Sequence, residues 1–131
     1  MSKIVKETES MVEQVKHSLQ LQGDVKIFEI DGGKCKTLSD YFSIASKTFE
    51  FPMPSKSWDG YDDWMRDFTW IDSKNICIFI YKYSLFLRKE PNNKVAVIED
   101  FYEVIFPWWD KEVTQCMVGG QTKNIDVYLI D

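Results

Sequence analysis

Residues 75–81 read "NICIFIY", a run with three isoleucines and almost no polar interruption. A strand with one wet face alternates apolar and polar side chains. An unbroken apolar run therefore predicts a strand covered on both sides. Two further segments suit strands. "VKIFEIDGG", residues 25–33, carries Val25, Ile27, Phe28 and Ile30 before an Asp-Gly-Gly turn, and "IDVYLI", residues 125–130, alternates. Helical patterns lie between them, so the chain reads as an α/β domain with a small parallel sheet of three strands. Right-handed crossovers predict that the helices cover mainly one face of that sheet.

The helical patterns are specific. Residues 2–20 place Val5, Met11, Val12, Val15 and Leu19 at roughly helical spacing, and Gly23 follows as a stop. "TLSDYFSIASKTFEF" offers Leu38, Tyr41, Phe42, Ala45 and Phe49, with Thr37 as N-cap and Asp40 in the first turn. Pro52 and Pro54 interrupt, and Ser55 or Ser57 caps the next helix. Residues 94–106 give a further helix through Val97, Ile98, Phe101 and Ile105, which Pro107 stops or kinks. The expected organisation is an N-terminal helical extension over residues 1–24 and one α/β domain over residues 25–131.

Net charge is −5 and the pI near 4.9. That argues against binding nucleic acid, which needs a positive field, and favours a basic partner. Cys35, Cys77 and Cys116 are odd in number and far apart, the pattern of buried thiols in a reducing compartment rather than of a disulfide framework. The first twenty residues hold no apolar core of a signal peptide, and no run reaches 18 apolar residues. A soluble, cytoplasmic protein with no membrane partner is the expectation.

The least ordinary segment is "SWDGYDDWMRDFTW", residues 57–70. On a helical wheel Trp58, Tyr61, Trp64, Met65 and Phe68 share one side, and Asp59, Asp62, Asp63 and Asp67 fall to the other. A solvated acidic face is one reading. Such faces, however, commonly mix Lys with Glu, whereas this one is all Asp, a poorer helix former. Asp59 gains from the helix dipole, and Asp67 at the far end does not. Paired carboxylates also serve general acid–base catalysis, but no substrate-positioning set accompanies them. "DGYDDWMRD" fails the spacing of a calcium loop.

Other chemistry has little support. His17, the only histidine, reads as an exposed residue of the N-terminal helix, and no nucleophile signature accompanies it. "DGGKC" is no phosphate-binding loop, and one His with scattered Cys makes no zinc site. No metal, cofactor or catalytic residue is expected. In "FPWWD", residues 106–110, adjacent tryptophans cannot both face a core. Trp108 or Trp109 is thus either part of a lid over the sheet end or an exposed anchor for a partner.

Taken in order, "KIFEIDGGKCKTLSDYFSIASKTFEFP", "SWDGYDDWMRDFTW", "NICIFIY", "VIEDFYEVI" and "IDVYLID" resemble the barstar family of ribonuclease inhibitors over about residues 25–131. The resemblance implies a three-stranded parallel sheet in the order 1-2-3, with "NICIFIY" central and the N-terminal helix an addition. It implies no enzyme activity. The protein would be a stoichiometric inhibitor whose acidic helix plugs the active site of a basic ribonuclease. By position the key carboxylates are Asp59 and Asp63, and Glu103 stands near a third family contact. Trp58, Gly60, Asp62 and Asp67 complete the expected toxin-binding set. Two departures stand out: the loop before the acidic motif reads "MPSKS", one residue shorter than the family's aromatic loop, and Asp62 replaces a frequent Trp. An immunity protein held in the cytoplasm against a nuclease toxin is the expected role. A regulatory module of the same fold with a non-nuclease partner is the alternative.

Overall fold

The run 75–81 is internal to the sheet. In the computed structural model, which describes residues 1–131, strands β1 (Lys3–Glu7), β2 (Val25–Asp31), β3 (Asn75–Tyr81) and β4 (Asn124–Ile130) form one parallel sheet in the order β1-β4-β3-β2. The expected three-stranded sheet is thus corrected to four strands. The three anticipated strands keep their adjacency, with β3 between β2 and β4. The fourth comes from the N-terminus, where one continuous helix was expected. Lys3–Glu7 pairs with Asp126–Ile130, and helix α1 starts only at Val12 and runs to Gln22. Ile4 and Val5 are β-branched and meet an open parallel edge on β4, so tertiary pairing overrides the weak helical spacing.

Ser2 fastens this strand. Its hydroxyl donates to Asp110 Oδ1 at 2.7 Å and accepts from the Ile125 amide at 2.9 Å. At the other end the Glu9 amide bonds to the Asp131 carbonyl at 2.8 Å. Residues 1–24 therefore add a strand paired into the sheet and a helix packed on one of its faces.

Both sheet faces are covered, as the apolar run 75–81 predicts for its own strand and against the expectation that the helices lie mainly on one face. Alternation along β3 sends Ile76, Ile78 and Ile80 into a large core with Ile125, Val127 and Leu129, and sends Cys77 and Phe79 to the opposite side. There Val12 and Leu19 of α1 close a smaller cluster with Tyr128 and Ile130. This cover explains why β4 is buried from Ile125 to Ile130 instead of alternating.

The large core is roofed by α2 (Leu38–Thr48), α3 (Trp58–Met65) and α4 (Pro91–Asp100). α2 begins as its sequence predicts, with Thr37 and Asp40 forming a reciprocal capping box. β2 ends against a close approach: a Cβ at Gly32 would lie 2.4 Å from the Tyr81 carbonyl oxygen. α4 does not stop at Pro107. It passes into π-helical stretches at Phe101–Ile105 and Trp108–Glu112, then a last turn, α5 (Val113–Cys116). The Phe106 amide reaches back five residues to the Phe101 carbonyl, a wider register that leads into a proline without its own N–H.

Cys35 and Cys77 are buried, and burial pushes each thiol up to about 12. Cys116 is exposed, so only two of the three expected buried thiols are buried. No helix is long and apolar enough to cross a membrane.

Candidate functional site

The loop "MPSKS" sets the entry of α3. The Ser55 amide donates to Ser46 Oγ on α2 at 2.9 Å, and its own hydroxyl donates to the Ser57 carbonyl at 3.0 Å. Ser57 then caps the helix, its Oγ accepting from the Gly60 amide at 3.2 Å. Gly60 belongs to this entry: a Cβ there would stand 2.9 Å from Ser55 Oγ.

The inward side of α3 is aromatic. Tyr61 and Met65 are fully buried, and the Tyr61 and Tyr41 hydroxyls lie 2.6 Å apart. Trp58 is half-buried and packs edge-on to Phe42 and Tyr61, so it supports the helix more than it projects from it. Trp64 packs against Phe51 and Trp70. The helix ends at Met65, earlier than the sequence pattern suggests. Phe68 takes a left-handed backbone (φ 48°) and stacks on Trp109 at 6.0 Å between ring centroids.

The four aspartates separate into three groups. Asp59 and Asp63 point outward. Asp59 is exposed and makes no ion pair, and the Asp63 side chain is 73% exposed and accepts one bond, from Arg66 Nη2 at 3.2 Å. Asp67 lies beyond the helix and accepts from the Thr69 amide at 3.2 Å, so it is not part of the expected acidic helix face. Asp62 turns inward. Its Oδ1 is buried without a hydrogen-bond partner, near Asp100 at the end of α4, whose Oδ2 is buried and unpartnered too. Desolvation first, and then Asp62, push the Asp100 carboxyl up to about 8. The wheel carried a signal for this. At 100° per residue Asp62 sits about 40° from Trp58 and about 100° from Asp63, on the border of the buried side. Its partner Asp100 had no sequence signal.

Glu103 is exposed on the first π-helical stretch, which packs against α3 and brings its charge near Asp100. The one basic side chain bonded to these carboxylates is Arg66. It also donates to the Asp62 carbonyl at 3.3 Å and lies over the Trp108 ring. The two tryptophans divide the expected roles. Trp109 is buried, its Nε1 donating to the Met65 carbonyl at 2.8 Å, whereas Trp108 is half-buried and lines a groove of about 700 Å³. Asp63, Asp67 and the exposed Met117 and Val118 line the same groove. No three His, Cys, Asp or Glu side chains converge as a metal-ligand set.

The exposed carboxylates can accept several cationic donors at once, as a phosphate does. No curated protein and no solved structure matches the chain in the comparisons made. A family model described as Barstar (barnase inhibitor) matches residues 25–119, which include the acidic helix, the central strand and both π-helical stretches. The match covers well over half of the chain and contains two neighbouring strands of the parallel sheet, so the chain belongs to the barstar family.

Proposed function

We propose that the chain is a stoichiometric inhibitor of a basic ribonuclease, acting as the immunity protein for a nuclease toxin. The carrying observation is the outer side of α3: Asp59 and Asp63 stand exposed on a helix anchored by Tyr61 and Met65, Asp59 without an ion pair and Asp63 paired only with Arg66. Family membership supports the class of partner. Asp63 would enter the phosphate pocket of the nuclease and Asp59 a neighbouring cationic subsite, so the inhibitor blocks RNA without chemistry of its own.

Gly60 and Trp58 hold α3 at the angle that presents both carboxylates. Glu103 extends the acidic field along the adjacent helix, and Asp67 does so at the edge of the Trp108 groove. Asp62, with Oδ1 turned inward, is assigned to holding the helix rather than to the toxin. Residues 25–131 are read as the inhibitor unit, and residues 1–24 as a cover for its second sheet face and open edge.

The test is co-purification with a small basic nuclease encoded beside the gene, followed by an RNA cleavage assay. Equimolar chain should stop cleavage. Asp59→Ala and Asp63→Ala should each weaken binding by about 2–5 kcal/mol, a range already measured on interfaces of this family's kind. Inhibition by both variants equal to that of the native chain would overturn the placement. Uninhibited cleavage would overturn the function.

A further inference from the structure

The buried pair Asp62–Asp100 belongs neither to the proposed contact face nor to the apolar core. Two ionised carboxylates offer only acceptors, and no donor from the protein reaches Asp62 Oδ1 or Asp100 Oδ2. Yet the two carboxyls are close neighbours, where α3 packs against the helix that continues from the end of α4, and each buries an oxygen there without a partner. Two neighbouring acceptors can satisfy each other only through a proton of their own. We infer that Asp62 and Asp100 share a single proton, and that this proton holds the acidic helix α3 against α4, so that the attachment of α3 depends on pH.

The surroundings favour the protonated pair. Tyr41 on α2 and Tyr61 on α3 are neutral, fully buried phenols whose own ionisation is opposed first by burial. Glu103, from the π-helical stretch, adds a further negative charge that disfavours ionising Asp100. Arg66, at the end of α3, is the one cation acting the other way, and its guanidinium is bonded to Asp63 Oδ1 and to the Asp62 carbonyl rather than to the pair. One carboxyl thus donates to the other, and losing the proton leaves two anions facing each other in a partly dehydrated contact.

The direction in pH follows. An unfolded aspartate holds its proton only below about 3.9, whereas Asp100 in the folded chain holds it to about 8. The folded state therefore binds the proton more tightly across that interval. The stabilisation is fully present below the lower value and is lost as pH rises towards the upper one. Asp62 and Asp100 are positioning residues here: they set how firmly α3 is held, and touch no partner. The consequence for an inhibitor rests on the proposed reading of α3, but the test does not, because it needs only the free chain.

Urea unfolding and amide hydrogen exchange, measured from about pH 5 to about pH 9, compare the native chain with Asp100→Asn and Asp62→Asn. Each amide supplies a permanent donor in place of the shared proton. At the acid end the three should unfold at similar urea concentrations. At the alkaline end the native midpoint should fall below that of Asp100→Asn. The α3 amides should then exchange about tenfold faster in the native chain than in the variant, at equal intrinsic rates. Carboxyl carbon NMR of the native chain reads the pair directly, and should give two linked steps with one well above the ordinary aspartate range. Parallel pH profiles for all three chains, or two independent titrations at ordinary values, would overturn the inference. If one variant fails to fold, the other and the native titration still decide.

Discussion

Helices α1 and α3 lie on opposite faces of the same sheet and are held by different means. α1 has eleven residues, no side-chain cap, and only Val12 and Leu19 buried. Its charge is matched within the chain, Lys16 pairing with Glu29 on β2. α3 has eight residues, a serine cap, two side chains at zero exposure and two further tryptophans packed beneath it. Its outward charge is not matched: Asp59 has no ion pair, and Asp63 has only Arg66. A cover can be long and lightly anchored if its surface charges are balanced. A short helix displaying surplus charge of one sign must be fixed from below, and α3 is.

The contrast can be broken from either side. The largest effect is expected at Tyr61. Tyr61→Ala should cost about 3–5 kcal/mol in urea unfolding, because it empties a fully buried ring site beneath α3. On the opposite face Leu19→Ala should cost about 2 kcal/mol, the low end for such a truncation, since α1 closes the smaller cluster and can settle. Equal losses at the two sites would mean that α1 is anchored as firmly as α3. Removing the cap, Ser57→Ala, should cost about 1 kcal/mol and loosen the first turn, visible as faster exchange at the Gly60 amide. The smallest effect on folding should come from Asp63→Ala, within about 0.5 kcal/mol of the native chain. A large folding defect there would show that this carboxylate serves the fold rather than a partner.

Much of the fold was legible because it depends on local rules. "NICIFIY" reads as an internal strand because apolarity on both faces leaves few other options, and the Thr37–Asp40 box fixes the start of α2. The N-terminal strand was not legible. Two β-branched residues between lysines carry no signal until β4, more than a hundred residues later, supplies an edge. The second covered face follows from the same long-range event. In the candidate site, the outward direction of Asp59 and Asp63 follows from helical phase. The inward turn of Asp62 depends on Asp100, a residue on another helix whose position no spacing in α3 encodes. Asp67 was misplaced because Phe68 leaves the helix to stack on Trp109.

The pairing of β1 with β4 also bears on the order of events during synthesis. The ribosome makes Lys3–Glu7 more than a hundred residues before its partner Asp126–Ile130, so this strand waits unpaired while everything between them is synthesised. A nascent strand of that kind is an adhesive edge. Lys3, Lys6 and Glu7 within its five residues make it a poor one. Charges that guard the outer edge of the finished sheet are thus also placed where an incomplete chain needs protection.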